Sequence, residues 1–319
     1  MPLPSILWDF LTLLISLAVL GKTAELVISN ATKLSRFFGI SELAVGFVFV
    51  SVFTTLPELS VSISAASAHE GAIAIGNAFG SNIANICIIL GVSASLYGVP
   101  IQRKEVPRLL NILLITSAIS ILLLLREGIG RIEGIVLLLT FSFYVYYLLS
   151  KKIGIESNNS ESITKHEALH AFLLFCIGIM GVIISAGLVV DSSVKVADTI
   201  GISKTFIGAT IVAVGTSLPE LAVITTGFRK KRPSLALGNA FGSCMTNLTL
   251  VLGSAALFSP SLLNIAVFMT LVLSLLLVNL VVVYILSTRK IIGRNEGIVL
   301  LLLYCLFIFI ISGVQLAYR

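Results

Sequence analysis

Two glutamates stand in the middle of long apolar stretches, and their surroundings match. Glu58 closes the run Thr54-Thr55-Leu56-Pro57-Glu58, and Glu220 closes Thr216-Ser217-Leu218-Pro219-Glu220. A charged side chain at the centre of a bilayer costs at least ~2.5–3.5 kcal/mol. A single such residue reads as a protonated acid hydrogen-bonded inside a bundle, whereas two in matching motifs read as the holders of a cation. Thr54, Thr55, Thr216 and Ser217 add hydroxyl oxygens beside them. Ser81 and Asn85 are four residues apart and so share a helix face, a spacing that Ser243 and Asn247 repeat. Pro57 and Pro219 lack an N–H, which frees the carbonyls of Phe53 and Gly215. Such carbonyls can coordinate a cation where they line a cavity. Every donor in this set is oxygen, which suits hard cations such as Ca2+, Mg2+ or Na+ and not Zn2+ or Cu2+. Two carboxylates balance one divalent ion or two monovalent ions, so either cargo can neutralise the same site.

The elements that must position these groups follow from composition. Of the 319 residues, 57% are hydrophobic and only 11% charged, against about 25% charged in a soluble domain. Mean hydropathy is +1.09. This is an all-α integral membrane protein. With roughly 20 apolar residues per crossing, the sequence predicts ten spans, at 5–28, 41–67, 72–97, 107–126, 130–150, 167–190, 203–227, 234–258, 262–287 and 296–317. The first run lacks the basic start and cleavage site of a signal peptide and is read as a real span. Of the 21 Lys and Arg residues, 15 fall in the loops after odd-numbered spans and five on the opposite side. That bias predicts cytoplasmic odd–even loops and both termini outside, in the plasma membrane. The net charge of +6 is thus topogenic and points to no nucleic-acid partner. Lys22 and Glu25, three apart, are expected to pair with each other.

Residues 39–93 align without a gap to 201–255, with 22 of 55 positions identical. Gly76-Asn77-Ala78-Phe79-Gly80-Ser81 recurs as Gly238-Asn239-Ala240-Phe241-Gly242-Ser243, and GRIEGIVLLL at 130–139 recurs as GRNEGIVLLL at 293–302. The glycine pairs Gly76/Gly80 and Gly238/Gly242 have the spacing that permits close helix approach. Asn77 and Asn239 read as local caps or hinges. The expected organisation is a first five-helix repeat at 1–150, a short cytoplasmic linker at 151–166, and a second repeat at 167–319. Five is odd, so the second repeat enters the membrane from the opposite side. Inverted repeats with a midplane site are a transporter architecture.

These motifs resemble the calcium/cation antiporter superfamily, in particular the prokaryotic Na+/Ca2+ exchangers. TTLPE with GNAFGSNIAN in one half, and GTSLPE with GNAFGSCMTN in the other, carry the resemblance over essentially the whole chain. It implies ten helices, ion sites clustered at the centre, and spans one and six sliding across a rigid core. It also implies Glu58 and Glu220 as the principal Ca2+ carboxylates, and backbone carbonyls from Thr54 and Thr216. Carbonyls of Ser51 and Ala213 would serve flanking Na+ sites completed by Thr55, Ser217, Ser81 and Ser243, with Asn85 and Asn247 near the centre. The chain departs from the pattern at Phe53, at Cys244-Met245, and at Asn247, where several relatives carry Asp.

The expected activity is Ca2+-for-Na+ antiport by alternating access. An H+-coupled or K+-dependent antiporter shares this fold, and a passive channel would pass ions without counter-ion. An intramembrane metal-dependent enzyme would need a nucleophile–base pair or a His-rich motif, so no enzyme is expected. No cofactor is expected beyond the transported Ca2+ and Na+. The internal repeat makes a monomer self-sufficient, leaving inorganic cations and the lipid bilayer as partners. Linker 151–166 is too short for a regulatory domain.

Overall fold

Almost every segment is apolar over a length that only a helix can satisfy internally. The structure, a computed structural model, describes residues 3–69, 71–126, 128–150, 163–199, 215–258, 261–262 and 265–317. Ala213, the first part of the expected seventh span, the start of the aligned stretch 201–255 and most of the linker lie outside the described residues.

Helix α1 spans Leu3–Phe38. It runs well past the expected end at residue 28, so Lys33 and Arg36 extend the helix instead of forming a loop. The second span is broken: α2 (Glu42–Thr54) and α3 (Leu56–Ser67) meet at a 47° bend. Thr55 at the joint has ψ near 2°, and Pro57 falls in the first turn of α3, where a missing N–H costs nothing. Helix α4 runs from Gly71 to Tyr97 through a π-helical turn at Asn85–Leu90. Then come α5 (Val106–Leu125), α6 (Arg131–Ser150) and α7 (Lys165–Thr199). Helix α8 (Leu218–Arg229) starts after Ser217, whose ψ is near 9°, and carries Pro219 in its first turn. Helix α9 runs from Pro233 to Phe258 through a π-helical turn at Asn247–Val251. Helices α10 (Ile265–Thr288) and α11 (Arg294–Ala317) complete the chain. Among the described residues, eight helices are long and apolar enough to cross a membrane, and the bent pair α2–α3 makes nine. Large apolar side chains such as Leu122, Ile132, Phe143, Leu280 and Phe309 face outward, as a lipid solvent allows.

Among the described residues, four two-residue strands tie the helix ends together. Strand β1 (Val99–Pro100) pairs antiparallel with β4 (Ile291–Ile292), and β2 (Gly128–Ile129) pairs antiparallel with β3 (Ser261–Leu262). Two glycine contacts follow the same logic. A Cβ on Gly91 would lie 3.1 Å from the Gly297 carbonyl oxygen, and one on Gly253 would lie 3.0 Å from that of Gly134. The repeated GR-x-EG motif opens α6 and α11. In each, the glutamate three residues on accepts from the glycine N–H, Glu133 from Gly130 and Glu296 from Gly293, both at 3.0 Å.

The buried apolar side chains form two main clusters. The larger draws on α4, α5, α9 and α10, with Phe47, Tyr144, Ile224 and Leu300 from neighbouring helices. The second joins α1 to α7 through Ala24, Val27, Ile28, Phe175, Ile179 and Val182, and meets the rest of the bundle at Val45, Val50, Val223 and Leu235.

Candidate ion-binding site

Glu58 and Glu220 hold the same position in their helices, the third residue of a helix that starts afresh in the middle of the bundle. The free N–H groups of a first turn favour negative charge. Thr55-x-x-Glu58 and Ser217-x-x-Glu220 spell a capping box, yet neither Thr55 nor Ser217 makes a side-chain cap. Unlike Glu133 and Glu296, neither carboxylate closes a capping box onto the N–H three residues before it; each lies beside the N–H of its own residue. Both are fully buried. The joints instead serve each other across the bundle. Ser217 Oγ donates to Glu58 Oε1 at 3.2 Å. Glu220 faces the hydroxyls of Thr54 and Thr55 and the carboxylate of Glu58, while neither of its oxygens makes a hydrogen bond of good geometry.

Polar atoms left without partners collect around this pair. They are Glu58 Oε2, both Glu220 oxygens, both amide atoms of Asn85, Ser243 Oγ, Asn247 Oδ1 and Asn239 Nδ2. A buried polar group without a partner costs roughly 1–3 kcal/mol, more when charged, so such a concentration calls for a partner such as water or an ion. Six of these eight atoms are oxygens, the chemistry of a hard-cation site. Of three π-helical turns among the described residues, at Gly46–Val50, Asn85–Leu90 and Asn247–Val251, two begin at asparagines, Asn85 and Asn247. A π turn shifts the carbonyl ladder and often accompanies function.

The structure brings most of the sequence candidates to this region. Ser51 is fully buried; its hydroxyl donates to the Phe47 carbonyl and lies 3.5 Å from Thr246 Oγ1. Its own carbonyl accepts from Thr55 N–H at 3.0 Å, from Thr54 Oγ1 at 3.2 Å, and from Thr55 Oγ1. Thr54 Oγ1 also reaches Asn239 Oδ1 at 3.3 Å. Ser81, Ser217 and Ser243 are buried and Thr216 is half-buried. Ala213 lies outside the described residues.

Four residues that sequence reasoning left aside line the same region. Asn77 Nδ2 donates to the Glu58 carbonyl at 3.0 Å and to Ser62 Oγ at 2.9 Å. Asn239 meets Thr54, and Thr246 meets Ser51. Asn82 contacts Asn247 and Cys244. Asn77 and Asn239 belong to the repeated GNAFGS run, so a signal existed; Asn82 faces a cysteine in the aligned repeat and gave none. The glycine expectation divides. Side chains on Gly238 and Gly242 would collide with the backbone of α2, at Leu43 and Phe47, while no described atom lies within 4 Å of a Cβ on Gly76 or Gly80. The expected Lys22–Glu25 pair is overturned. Glu25 binds Arg229 at 2.6 Å and Lys230 at 3.5 Å, because the α8–α9 turn delivers two cations to it, while Lys22 stays exposed.

A family profile described as sodium/calcium exchanger protein matches residues 8–150 and 170–313. The chain belongs to the sodium/calcium exchanger family. It is 30% identical to the sodium/calcium exchanger MaX1 of Methanosarcina acetivorans, over 95% of this chain and 98% of that one. It is 32% identical to the inner membrane protein YrbG of Escherichia coli, over 78% of this chain and 79% of the relative. Among solved structures it resembles the sodium-calcium exchanger NCX_Mj, with a TM-score of 0.83 and 29% identity over 94% of this chain and 98% of the other. The family assignment makes this a multi-pass membrane transporter, in keeping with its apolar helices.

Proposed function

We propose that this chain is a secondary active antiporter that exchanges Ca2+ for Na+ by alternating access, with Glu58 and Glu220 as the carboxylates both ions share. The observation that carries the reading is the buried glutamate pair, surrounded by unpartnered oxygens, at the first turns of two interrupted helices. A site of charge −2 binds one Ca2+ with no residual charge, and Na+ ions entering the same oxygen cluster restore the balance when Ca2+ leaves. An empty site exposes neither glutamate to a compensating partner, which disfavours its crossing the barrier and couples the two fluxes.

The remaining ligands belong to the same proposal. Thr54, Thr55, Thr216, Ser217, Ser51, Ala213, Ser81, Ser243, Asn85 and Asn247 supply hydroxyl, carbonyl and amide oxygens around the two carboxylates. No cofactor is needed, since the ions are the cargo, and one chain suffices.

The architecture we infer is ten spans in two inverted repeats, 1–150 and 167–319, joined by the linker 151–166. The strand pairings support it. Chain segments that pair lie on one side of the membrane, so an even number of crossings separates them. Between β2 and β3 stand α6, α7 and α9, and a further crossing that ends in α8 makes the number even. Repeat equivalence also supports it. At the offsets of 162 and 163, β1 maps to β3 and β2 to β4, so the β1–β4 pair maps onto the β3–β2 pair. The Gly91–Gly297 contact maps onto Gly253–Gly134 in the same way. Such an exchange of partners is what a two-fold axis in the membrane plane produces. The segregation of α1 and α7 into their own apolar cluster supports their motion as a pair against the rest. The charge bias supports extracellular termini and a plasma-membrane location.

The test is Ca2+ uptake into liposomes loaded with Na+, K+ or acid, with Glu58→Gln and Glu220→Gln as controls. Uptake driven by outward Na+ and lost in both variants is the expected result. Uptake driven by acid or dependent on K+ transfers the chain to another coupling mode. Uptake that survives both variants removes the glutamates from the mechanism.

A further inference from the structure

Two of the π turns open at equivalent asparagines, Asn85 and Asn247, yet the two amides are held differently. Asn85 has no partner at either end of its amide. Asn247 Nδ2 donates to Asn82 Oδ1 at 3.1 Å, and Asn82 Nδ2 donates to the Cys244 carbonyl at 2.9 Å. All three residues are buried. The order of this chain is forced from one end. A backbone carbonyl only accepts, so Asn82 must turn its NH2 toward Cys244. Its oxygen then faces Asn247, which must answer with its own NH2. What remains of the Asn247 amide is Oδ1, buried and without a partner, and only that end of an amide binds a cation. The Cys244 carbonyl accepts from the Asn247 backbone N–H as well, and its second lone pair takes the Asn82 amide.

We propose that Asn82 is a positioning residue that fixes the Asn247 amide with its oxygen toward the ion site, making Asn247 a neutral, oriented ligand while Asn85 stays free to turn. The inference rests on the exchanger reading of the site. Asn82 and Cys244 occupy equivalent places in the two repeats at the offset of 162. Each side chain reaches the other's backbone carbonyl, Asn82 Nδ2 at 2.9 Å and Cys244 Sγ at 4.0 Å, where a strictly symmetric pair would put two identical side chains. The small Cys244 leaves its own carbonyl open to Asn82, and the result is a one-way chain of donors that breaks the symmetry of the site. The half carrying Asn247 thereby has a preset ligand, and the half carrying Asn85 adjusts to whichever ion is present.

The experiment measures the half-saturating Ca2+ concentration and maximal rate of Na+-driven Ca2+ uptake in proteoliposomes, with unmodified protein as the control for exchange itself. Asn82→Leu keeps the volume and removes both polar ends. It is expected to raise half-saturating Ca2+ about fivefold to tenfold, the worth of one net hydrogen bond, with a smaller loss of maximal rate. Added to Asn247→Ala, it is expected to change half-saturation less than twofold further, because the group it orients is already gone. Asn82→Asp keeps an acceptor for Asn247 and, as the neutral acid, a donor for Cys244; it is expected to restore half-saturation to within about twofold. Full additivity of Asn82→Leu with Asn247→Ala, or no shift in Asn82→Leu alone, overturns the proposal. Asn82→Ser is the second deletion should the leucine variant fail to give a monodisperse protein, and it carries the same two expectations. If the unmodified protein shows no Na+-driven uptake, it is the exchanger reading that fails.

Discussion

A single methyl group at Gly242 tests whether the packing of α2 on α9 sets the ion site. An alanine Cβ there would sit 2.7 Å from Phe47 Cα, 2.8 Å from Ser51 Oγ and 2.9 Å from Ser51 Cβ. Carbon atoms attract at about 3.5 Å and beyond, so the two helices must separate by roughly 0.8 Å at this level. Phe47 Cα is backbone and cannot rotate away. Overpacking of this kind costs about 1–3 kcal/mol, of which up to ~1 kcal/mol is returned by replacing glycine inside a helix. The expected net loss is about 1–2 kcal/mol. Gly313 on α11 is the control: it is exposed and no described atom lies within 4 Å of an added Cβ, so Gly313→Ala should be neutral or stabilising by up to ~1 kcal/mol. The displacement also reaches the site. Ser51 to Thr246 is already 3.5 Å and Thr54 to Asn239 is 3.3 Å, so a shift of this size takes both beyond hydrogen-bonding range. Gly242→Ala is therefore expected to lower the melting temperature by several degrees and to raise half-saturating Ca2+ at least tenfold, read by thermal unfolding in detergent and by liposome uptake. A Gly242→Ala protein that melts with the unmodified chain and keeps half-saturation within twofold refutes the contact and its role together.

Three further outcomes follow from other parts of the bundle. Ser217→Ala removes the hydroxyl that donates to Glu58 at 3.2 Å and is expected to weaken Ca2+ binding several-fold in an uptake titration while leaving the protein folded. Burial raises the pKa of Glu105, just before α5, and Glu42 adds to the rise, against the lowering effects of Ser234, Lys104 and Arg108. The folded protein then holds this proton to a higher pH than the unfolded chain, so stability falls as pH rises from the ordinary carboxylate range through the raised value. Glu105→Gln should match the unmodified melting temperature at pH 4 and exceed it increasingly toward pH 8. Asn279 on α10 donates to Thr116 at 3.3 Å and Ser117 at 2.9 Å on α5, and Asn279→Leu is expected to cost about 1 kcal/mol, the scale of such bonds between membrane helices, measured by thermal unfolding.

What the sequence makes legible here is whatever the duplication copies. Glu58 and Glu220 announce themselves twice, with Thr-x-Leu-Pro before each, and the fold places both one turn into a new helix. Among the described residues, eight helices and the bent pair α2–α3 fall in expected spans, because a bilayer imposes one length and one polarity, although α1 runs ten residues past its expected end. What was not readable is what depends on which repeat meets which. Glu25 has a lysine one turn away along its own helix, yet it binds Arg229 and Lys230, which are close only after α1 packs beside the α8–α9 turn. Thr55 and Ser217 look like cap residues for their own helices, yet Ser217 serves the glutamate of the other half. Their capping-box spelling was a local signal, and the tertiary partner won because a buried carboxylate without any donor is costlier than an uncapped first turn. Asn82 escaped notice for the opposite reason: an alignment of the two halves draws the eye to identities, and this residue matters through its difference from Cys244. A duplicated transporter starts with two equal half-sites, but its two cargoes differ in charge. Cys244 in the place equivalent to Asn82 makes the two halves unequal where these residues meet, and it leaves the two glutamates untouched.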